Sequence, residues 1–200
     1  MATTHGLWGM ALALPVAVVA PEFASIALLA GLIGGVAPDF DLYVGHRKTL
    51  HFPVYFSAAT IPAVSLAVLV PSTWTVALGI GLAAAALHSV SDVLGGGLEL
   101  KPWHGTSDRA VYDHYHGRWI PPRRWVRYDG APEDFAVAGV VGVPLVVTTD
   151  GVLSVVVVAL LVISLAYTLV RKPLATVATH FVAFVPEFLH PHVPARYFEN

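Results

Sequence analysis

The sequence predicts an all-α fold, a polytopic membrane helix bundle of three helical hairpins with four to six spans. Three observations predict it. Only 12% of the 200 residues are Asp, Glu, Lys or Arg, about half the ~25% of an ordinary soluble domain. Hydrophobic residues make up 56% of the chain and the mean hydropathy is +0.70. The few charges are also clustered: residues 6–38 carry only Glu22, residues 52–91 carry none, and residues 135–170 carry only Asp150. So few charges cannot cover the surface of a soluble domain of this size. A disordered chain, a basic DNA-binding domain and an ordinary soluble enzyme are thereby excluded.

Each apolar stretch exceeds the ~20 residues of a single span and has turn formers near its middle. These are Pro21-Glu22, Pro71-Ser72-Thr73 and Thr148-Thr149-Asp150-Gly151. The first stretch reads as a hairpin rather than a signal peptide, because residues 1–20 lack a positive n-region and apolar sequence runs past any plausible cleavage site. Residues 7–20 and 135–149 give helices of only ~21–23 Å, short against a ~30 Å hydrocarbon core; hence four to six spans. Glycine, alanine and valine dominate the stretches, and small residues let membrane helices approach closely.

The hairpins put the N-terminus, residues 39–51, residues 93–134 and the C-terminus on one side. All eleven cations fall there: Arg47, Lys48, Lys101, Arg109, Arg118, Arg123, Arg124, Arg127, Arg171, Lys172 and Arg196. The positive-inside rule makes that side cytoplasmic, in an inner or plasma membrane. The chain divides into residues 1–103, membrane helices with the chemical motifs; residues 104–134, a polar loop; and residues 135–200, the last hairpin and a tail. Around the loop, Trp103, Tyr112, Tyr115, Trp119, Trp125 and Tyr128 mark a headgroup layer, with no nucleic acid expected. In the tail, Leu174, Val177, Phe181, Phe184 and Phe188 share one helical face suited to the interface, with Pro186 bending or ending it.

Cysteine is absent, so thiolate sites are excluded, whereas ten histidines in so apolar a chain are unusual. The densest group is Asp39, Asp41, His46 and His51, at the mouth of the first hairpin. Asp39 and Asp41 are two apart, so an extended segment points both the same way. His88 and Asp92 end the second hairpin four residues apart, on one helix face, and a returning first hairpin brings His5 to the same side. Carboxylates with imidazoles suit zinc, manganese or iron, one or two ions, while magnesium would need fewer histidines. The duller alternatives are helix capping or Asx-turns for the aspartates and interhelical hydrogen bonding for His88. His104, His114, His116, His180, His190 and His192 lie in loop or tail and are read as outside the site. Gly95-Gly96-Gly97 lacks the continuation of a phosphate loop, and no Gly-x-Ser-x-Gly elbow is present.

At these residues the chain resembles the YdjM-type family of inner-membrane, metal-dependent hydrolases, known for its LexA-regulated members. The resemblance lies in His5 before an apolar helix, Pro38-Asp39-Phe40-Asp41, His46-Arg47-Lys48-Thr49-Leu50-His51, and His88 with Asp92, followed by Gly97-Leu98-Glu99-Leu100-Lys101-Pro102-Trp103. It covers residues 1–103. Thr49 is displaced by one position from the family's threonine, and Gly95 stands where a threonine is common. The resemblance implies a membrane-embedded metal-dependent hydrolase.

The function expected is therefore hydrolysis at the cytoplasmic membrane surface. His5, Asp39, Asp41, His46, His51, His88 and Asp92 would bind divalent metal, zinc foremost. Asp41 would take the proton of an attacking water, and Arg47 would stabilise an anionic transition state. The partner is membrane lipid, and the substrate a lipid or other phosphoester; oligomeric state is left open. The competing classes are a small metal-ion or proton transporter, since intramembrane Asp and His also mark ion paths, and a non-catalytic membrane protein with a structural metal.

Overall fold

The chain is described by a computed structural model over residues 2–182, 184–193 and 197–198. Helix α1 (Ala2–Leu12) and the short α2 (Leu14–Val19) form one limb of the first hairpin. The break between them falls at Ala13, two residues before Pro15, whose ring lacks an N–H and collides with the preceding turn. A 3-10 turn at Pro21–Phe23 reverses the chain into α3 (Ala24–Val36), which runs into a second 3-10 turn at Ala37–Asp41. Helices α4 (Pro53–Leu69) and α5 (Thr73–Ser91) make the second hairpin. Its turn is closed by Ser72 and Thr75, each side chain bonding the other's backbone N–H. Helices α6 (Pro132–Thr148) and α7 (Gly151–Val182) make the third. All three turns lie where the proline, glycine and polar residues predict them, and the fold is an all-α bundle.

Four segments are long and apolar enough to cross a membrane: Ala2–Val19, Pro21–Asp41, Thr73–Leu94 and Gly151–Val182. The short limbs are not quite those expected. The first limb reaches 18 residues because its helix begins at Ala2, whereas α4 and α6 have 17 residues each. A second difference lies in α7, which continues unbroken past Arg171 and through Pro173 for 32 residues. The stripe of Leu174, Val177 and Phe181 is thus the continuation of a spanning helix, not a separate tail helix. Arg196 lies outside the described residues.

Helices α1, α3 and α5 pack mutually, α3 most extensively; α4 packs outside α5, and α6 and α7 pack outside α1. Glycine makes this spacing attainable. A Cβ on Gly9 or on Gly31 would overlap the other's backbone, one on Gly35 would overlap the His5 carbonyl, and one on Gly34 the Gly81 carbonyl. Below these contacts Leu7, Met10, Ala27, Leu28 and Val76 fill an apolar core.

Residues 93–134 are more ordered than an open polar loop. Val111–Asp113 and Arg118–Ile120 form a two-stranded antiparallel hairpin, β1 and β2, with Tyr112 opposite Trp119. Arg123, Arg124 and Val126 donate backbone hydrogen bonds to Val93, Gly95 and Leu94. The loop is folded back onto the ends of α3 and α5.

Candidate metal centre

The ends of three helices supply the site. His5 sits in the first turns of α1, Asp39 and Asp41 in the 3-10 turn after α3, His88 near the end of α5, and Asp92 in the turn that follows it. Between Asp41 and His51 the chain must reverse within a few residues. It does so with left-handed backbone at Gly45 and at Arg47, whose φ is 59°. The Arg47 N–H donates to Asp41 Oδ1 at 3.2 Å and its carbonyl accepts from Tyr112, which holds the unfavourable conformation.

The proton positions follow from the partners. His88 Nδ1 lies 2.6 Å from the Gly35 carbonyl oxygen; a carbonyl only accepts, so Nδ1 carries a hydrogen and Nε2 is the nitrogen turned to the site. His51 Nδ1 lies 2.9 Å from Asp41 Oδ2 in the same relation. The two Nε2 atoms then face each other at 3.1 Å. Asp92 Oδ2 is 3.1 Å from His51 Nε2 and 3.7 Å from His88 Nε2. Asp39 Oδ1 is 3.6 Å from His88 Nε2 and 3.9 Å from His51 Nε2. A tetrahedral ion with bonds of about 2.0–2.2 Å keeps its ligand atoms roughly 3.3–3.6 Å apart, so the His51, His88 and Asp92 atoms, at 3.1, 3.1 and 3.7 Å from one another, come near the spacing of one coordination shell. Asp92 Oδ2 is buried, and its charge is met by His51 Nε2 and, at 3.6 Å, by Arg47 Nε. Burial alone would lower the His51 imidazole, yet hydrogen bonds to Asp41 and Asp92 and their charges outweigh it and raise it to about 9. His51 therefore favours its charged form here, and a metal ion would take the place of its Nε2 proton.

His5 adjoins the group. Its ring stands 4.0 Å from that of His88, and Nε2 lies 3.2 Å from Ser91 Oγ and 3.9 Å from Asp92 Oδ1. His5, His88 and Asp92 form one set of converging ligand atoms, and Asp39, His51 and His88 another. Both sets need His88, whose Nδ1 is already committed, so its single Nε2 cannot serve two ions. This favours one ion in the space.

Of the seven expected ligands, five converge: His5, Asp39, His51, His88 and Asp92. Asp41 and His46 do not. Asp41 is buried and accepts from His46 Nδ1, the Arg47 N–H, the Leu50 N–H and His51 Nδ1, which takes up all four of its lone-pair positions. It orients His51 and stands one layer behind the ligand atoms, the position from which carboxylates tune metal-binding histidines. The expected role of Asp41 as ligand and base is corrected accordingly. Arg47 is buried too. Its guanidinium donates to Gly96 O at 2.8 Å and to both Asp129 oxygens at 3.1 and 3.2 Å, and it lies 3.6 Å from Asp92 Oδ2. It ties the folded-back loop to the site and balances Asp92.

Asp129 has no counterpart in the sequence reading. It lies between Tyr128 and Gly130, where an aspartate looks like a turn residue, and only the return of the loop brings it to Arg47. The run Gly95-Gly96-Gly97 finds its use here as well, since a Cβ at Gly96 would press on the Arg127 carbonyl. Four of the other histidines have partners of their own. His114 bonds the Lys48 carbonyl, His116 pairs with Asp113, and His180 and His190 bond carbonyls of their own segments. Among the described residues, none of them joins the converging group.

The site opens onto a cavity of about 400 Å³ whose polar end is formed by His5, Asp39, Asp92 and Arg47. Comparison with family models, with curated proteins and with solved structures gave no match. The functional reading therefore rests on these residues and their geometry.

Proposed function

We propose that the protein is an integral membrane, metal-dependent hydrolase acting on an ester or phosphoester of a lipid at the cytoplasmic membrane surface. The observation that carries this reading is the convergence of His51 Nε2 and His88 Nε2, 3.1 Å apart and turned that way by Asp41 and Gly35 O, on the buried Asp92 Oδ2. Two imidazoles with carboxylates suit zinc best, with manganese or iron the other fitting ions.

His51, His88 and Asp92 have the shortest mutual distances and would hold the ion. Such an ion supplies Lewis acidity toward an ester and toward water. Asp39 is set farther out and is the part-exposed member of the group, on the cavity side. It would accept the proton of the attacking water. Asp39 would then pass that proton to the departing oxygen, and His5, with Nδ1 unpartnered and the ring on the same cavity, would hydrogen-bond that oxygen. Arg47 and Asp41 act as positioning residues. The four motif groups shared with the YdjM-type pattern agree with this assignment. The transporter reading gains no support, because the space between the helices continues into Leu7, Met10, Leu28 and Val76 rather than into polar groups.

The test uses the full chain purified in detergent. Wild type is expected to carry about one divalent ion per chain and to hydrolyse members of an ester and phosphoester panel, with loss on chelation and recovery on adding zinc, manganese or iron. His88→Ala should lose the ion. Asp39→Asn should keep it and lose turnover by about 100-fold or more. A wild-type protein free of divalent metal, or metal content unchanged in His88→Ala, sinks the proposal.

A further inference from the structure

The cavity at the metal centre is lined by two chemically different sets of residues. One, the inner end, is the polar group already described. The other, its apolar end, is Val36 of α3, Phe40 of the following turn, and Ile163 and Tyr167 of α7. Phe40 is 76% exposed and Ile163 54% exposed, so this end opens sideways, between the turn after α3 and the face of α7. In a soluble protein that opening would be an apolar wound. Here its wall is a membrane-spanning helix, and its depth can be judged from the sequence of that helix.

Arg171 and Lys172 lie over the Trp103 ring at 5.4 and 5.6 Å, a cation–aromatic cluster of the kind that settles at headgroup level. Counting back along α7 at 1.5 Å per residue, Tyr167 stands ~6 Å and Ile163 ~12 Å nearer the bilayer centre. The opening therefore extends from the headgroup layer into the acyl-chain layer. Its volume, about 400 Å³, falls within the roughly 300–1,000 Å³ of small-ligand sites.

We infer that the cavity is a lateral portal for a membrane amphiphile. One acyl chain lies between Val36, Phe40, Ile163 and Tyr167, while the ester at its head reaches His5, Asp39 and Asp92. This inference rests on the proposed hydrolase reading for what happens at the inner end, but the binding it asserts is separable from catalysis. A lipid chain is the occupant that fits because one cavity joins apolar side chains of α3, the turn after it and a spanning helix to the polar group of the metal centre.

The experiment is photocrosslinking in vesicles of phosphatidylcholine and phosphatidylglycerol doped with a lysophospholipid that carries a diazirine on its acyl chain, with adducts mapped by mass spectrometry. Lipids surrounding the protein label the exposed faces of all the spanning helices, so the informative adducts, here called inner, are those on Thr3, Val36 and His46, cavity-lining residues that are buried or half-buried. These are expected in wild type, and excess unlabelled palmitoyl lysophospholipid should reduce them at least tenfold while glycerophosphocholine, the same headgroup without a chain, leaves them unchanged. Ile163→Trp, which narrows the mouth, should cut them similarly with metal content and exposed-face labelling retained. Absence of the inner adducts in wild type, or equal competition by the chainless compound, overturns the portal. Inner adducts in a protein that binds no metal would keep the portal and remove the hydrolase reading.

Discussion

Asp41 illustrates how a side chain's role is set by what it faces. A carboxylate beside two histidines has the makings of a metal ligand, but this one spends its oxygens on two imidazoles and two backbone N–H groups. Its value is to hold a hydrogen of His51 on Nδ1, so that Nε2 is the nitrogen turned toward His88 and Asp92. Asp41→Asn keeps the shape but replaces two acceptor positions with donors that face other donors. Metal affinity should then fall by about 10–100-fold, the usual effect of losing such an orienting carboxylate, without being abolished. Competition against a chromophoric chelator measures this directly; affinity equal to wild type would show that Asp41 does not orient His51. Arg47 works at the same scale. Five donors in a planar fork let one buried cation satisfy Gly96 O, Asp129 and Asp92 together, a geometry that a lysine cannot reproduce.

At the scale of elements, the site exists because α1, α3 and α5 lie closer together than ordinary helices. His88 reaches Gly35 O only where α3 has no side chain in the way, and His5 approaches the cluster because Gly35 accepts the backbone of α1. Gly31→Leu would drive a side chain into the Gly9 backbone, and no flexible neighbour can move aside. We expect more than about 3 kcal/mol of destabilisation, together with loss of bound metal. Gly139→Ala is the matching control. Nothing lies within 4 Å of a Cβ there, so the change should be neutral or stabilise α6 by up to ~1 kcal/mol. Thermal unfolding in detergent, followed by metal analysis, distinguishes the two; equal behaviour of both variants would mean that close glycine packing does not hold the site. The length of α7 belongs to this scale as well. Its 32 residues span ~48 Å, and the ~30 Å from Gly151 to Arg171 matches a hydrocarbon core. The remainder carries Leu174, Val177 and Phe181 outward, with exposures of 53%, 47% and 68%. In the sequence that stripe looks the same whether the helix restarts or continues. Pro173 did not stop it: one proline removes a single backbone hydrogen bond from a helix of 32 residues, and Ala175 just beyond it is buried.

For the whole molecule, the arrangement of three hairpins places every candidate ligand at one end of the bundle and the turns near Pro21, Ser72 and Asp150 at the other. The cations of the described chain sit with the ligands. This leads to a topology prediction: single cysteines introduced at Asp150 and at Ser107 should react with a membrane-impermeant thiol reagent from opposite faces of the membrane. Ser107 should be reached only from the inside, as the positive-inside rule requires. Reaction of both from one face would break the three-hairpin arrangement. The native chain contains no cysteine, so each variant reports on one position without background.

The turns, the apolar limbs and the separation of charge were legible in the sequence because each depends on local chemistry: proline and glycine at reversals, and the cost of charge in lipid. The candidate ligands were legible for a related reason, since His and Asp are expensive in such segments and stand out there. What the sequence could not order was the layering of that site. Which carboxylate meets the ion and which stands behind it depends on where Gly35 O, the Leu50 N–H and the Arg47 N–H lie, and those positions follow from helix packing. Asp129 and the lateral cavity were hidden for the same reason: one is brought in by a loop that returns across some thirty residues from Gly96 to Asp129, the other is a gap between α3 and α7. The sequence by itself determined that this is a membrane helix bundle with acids and imidazoles at one mouth. Only the tertiary structure decided which of them face one point, because lone-pair direction is a property of packed neighbours and not of residue type.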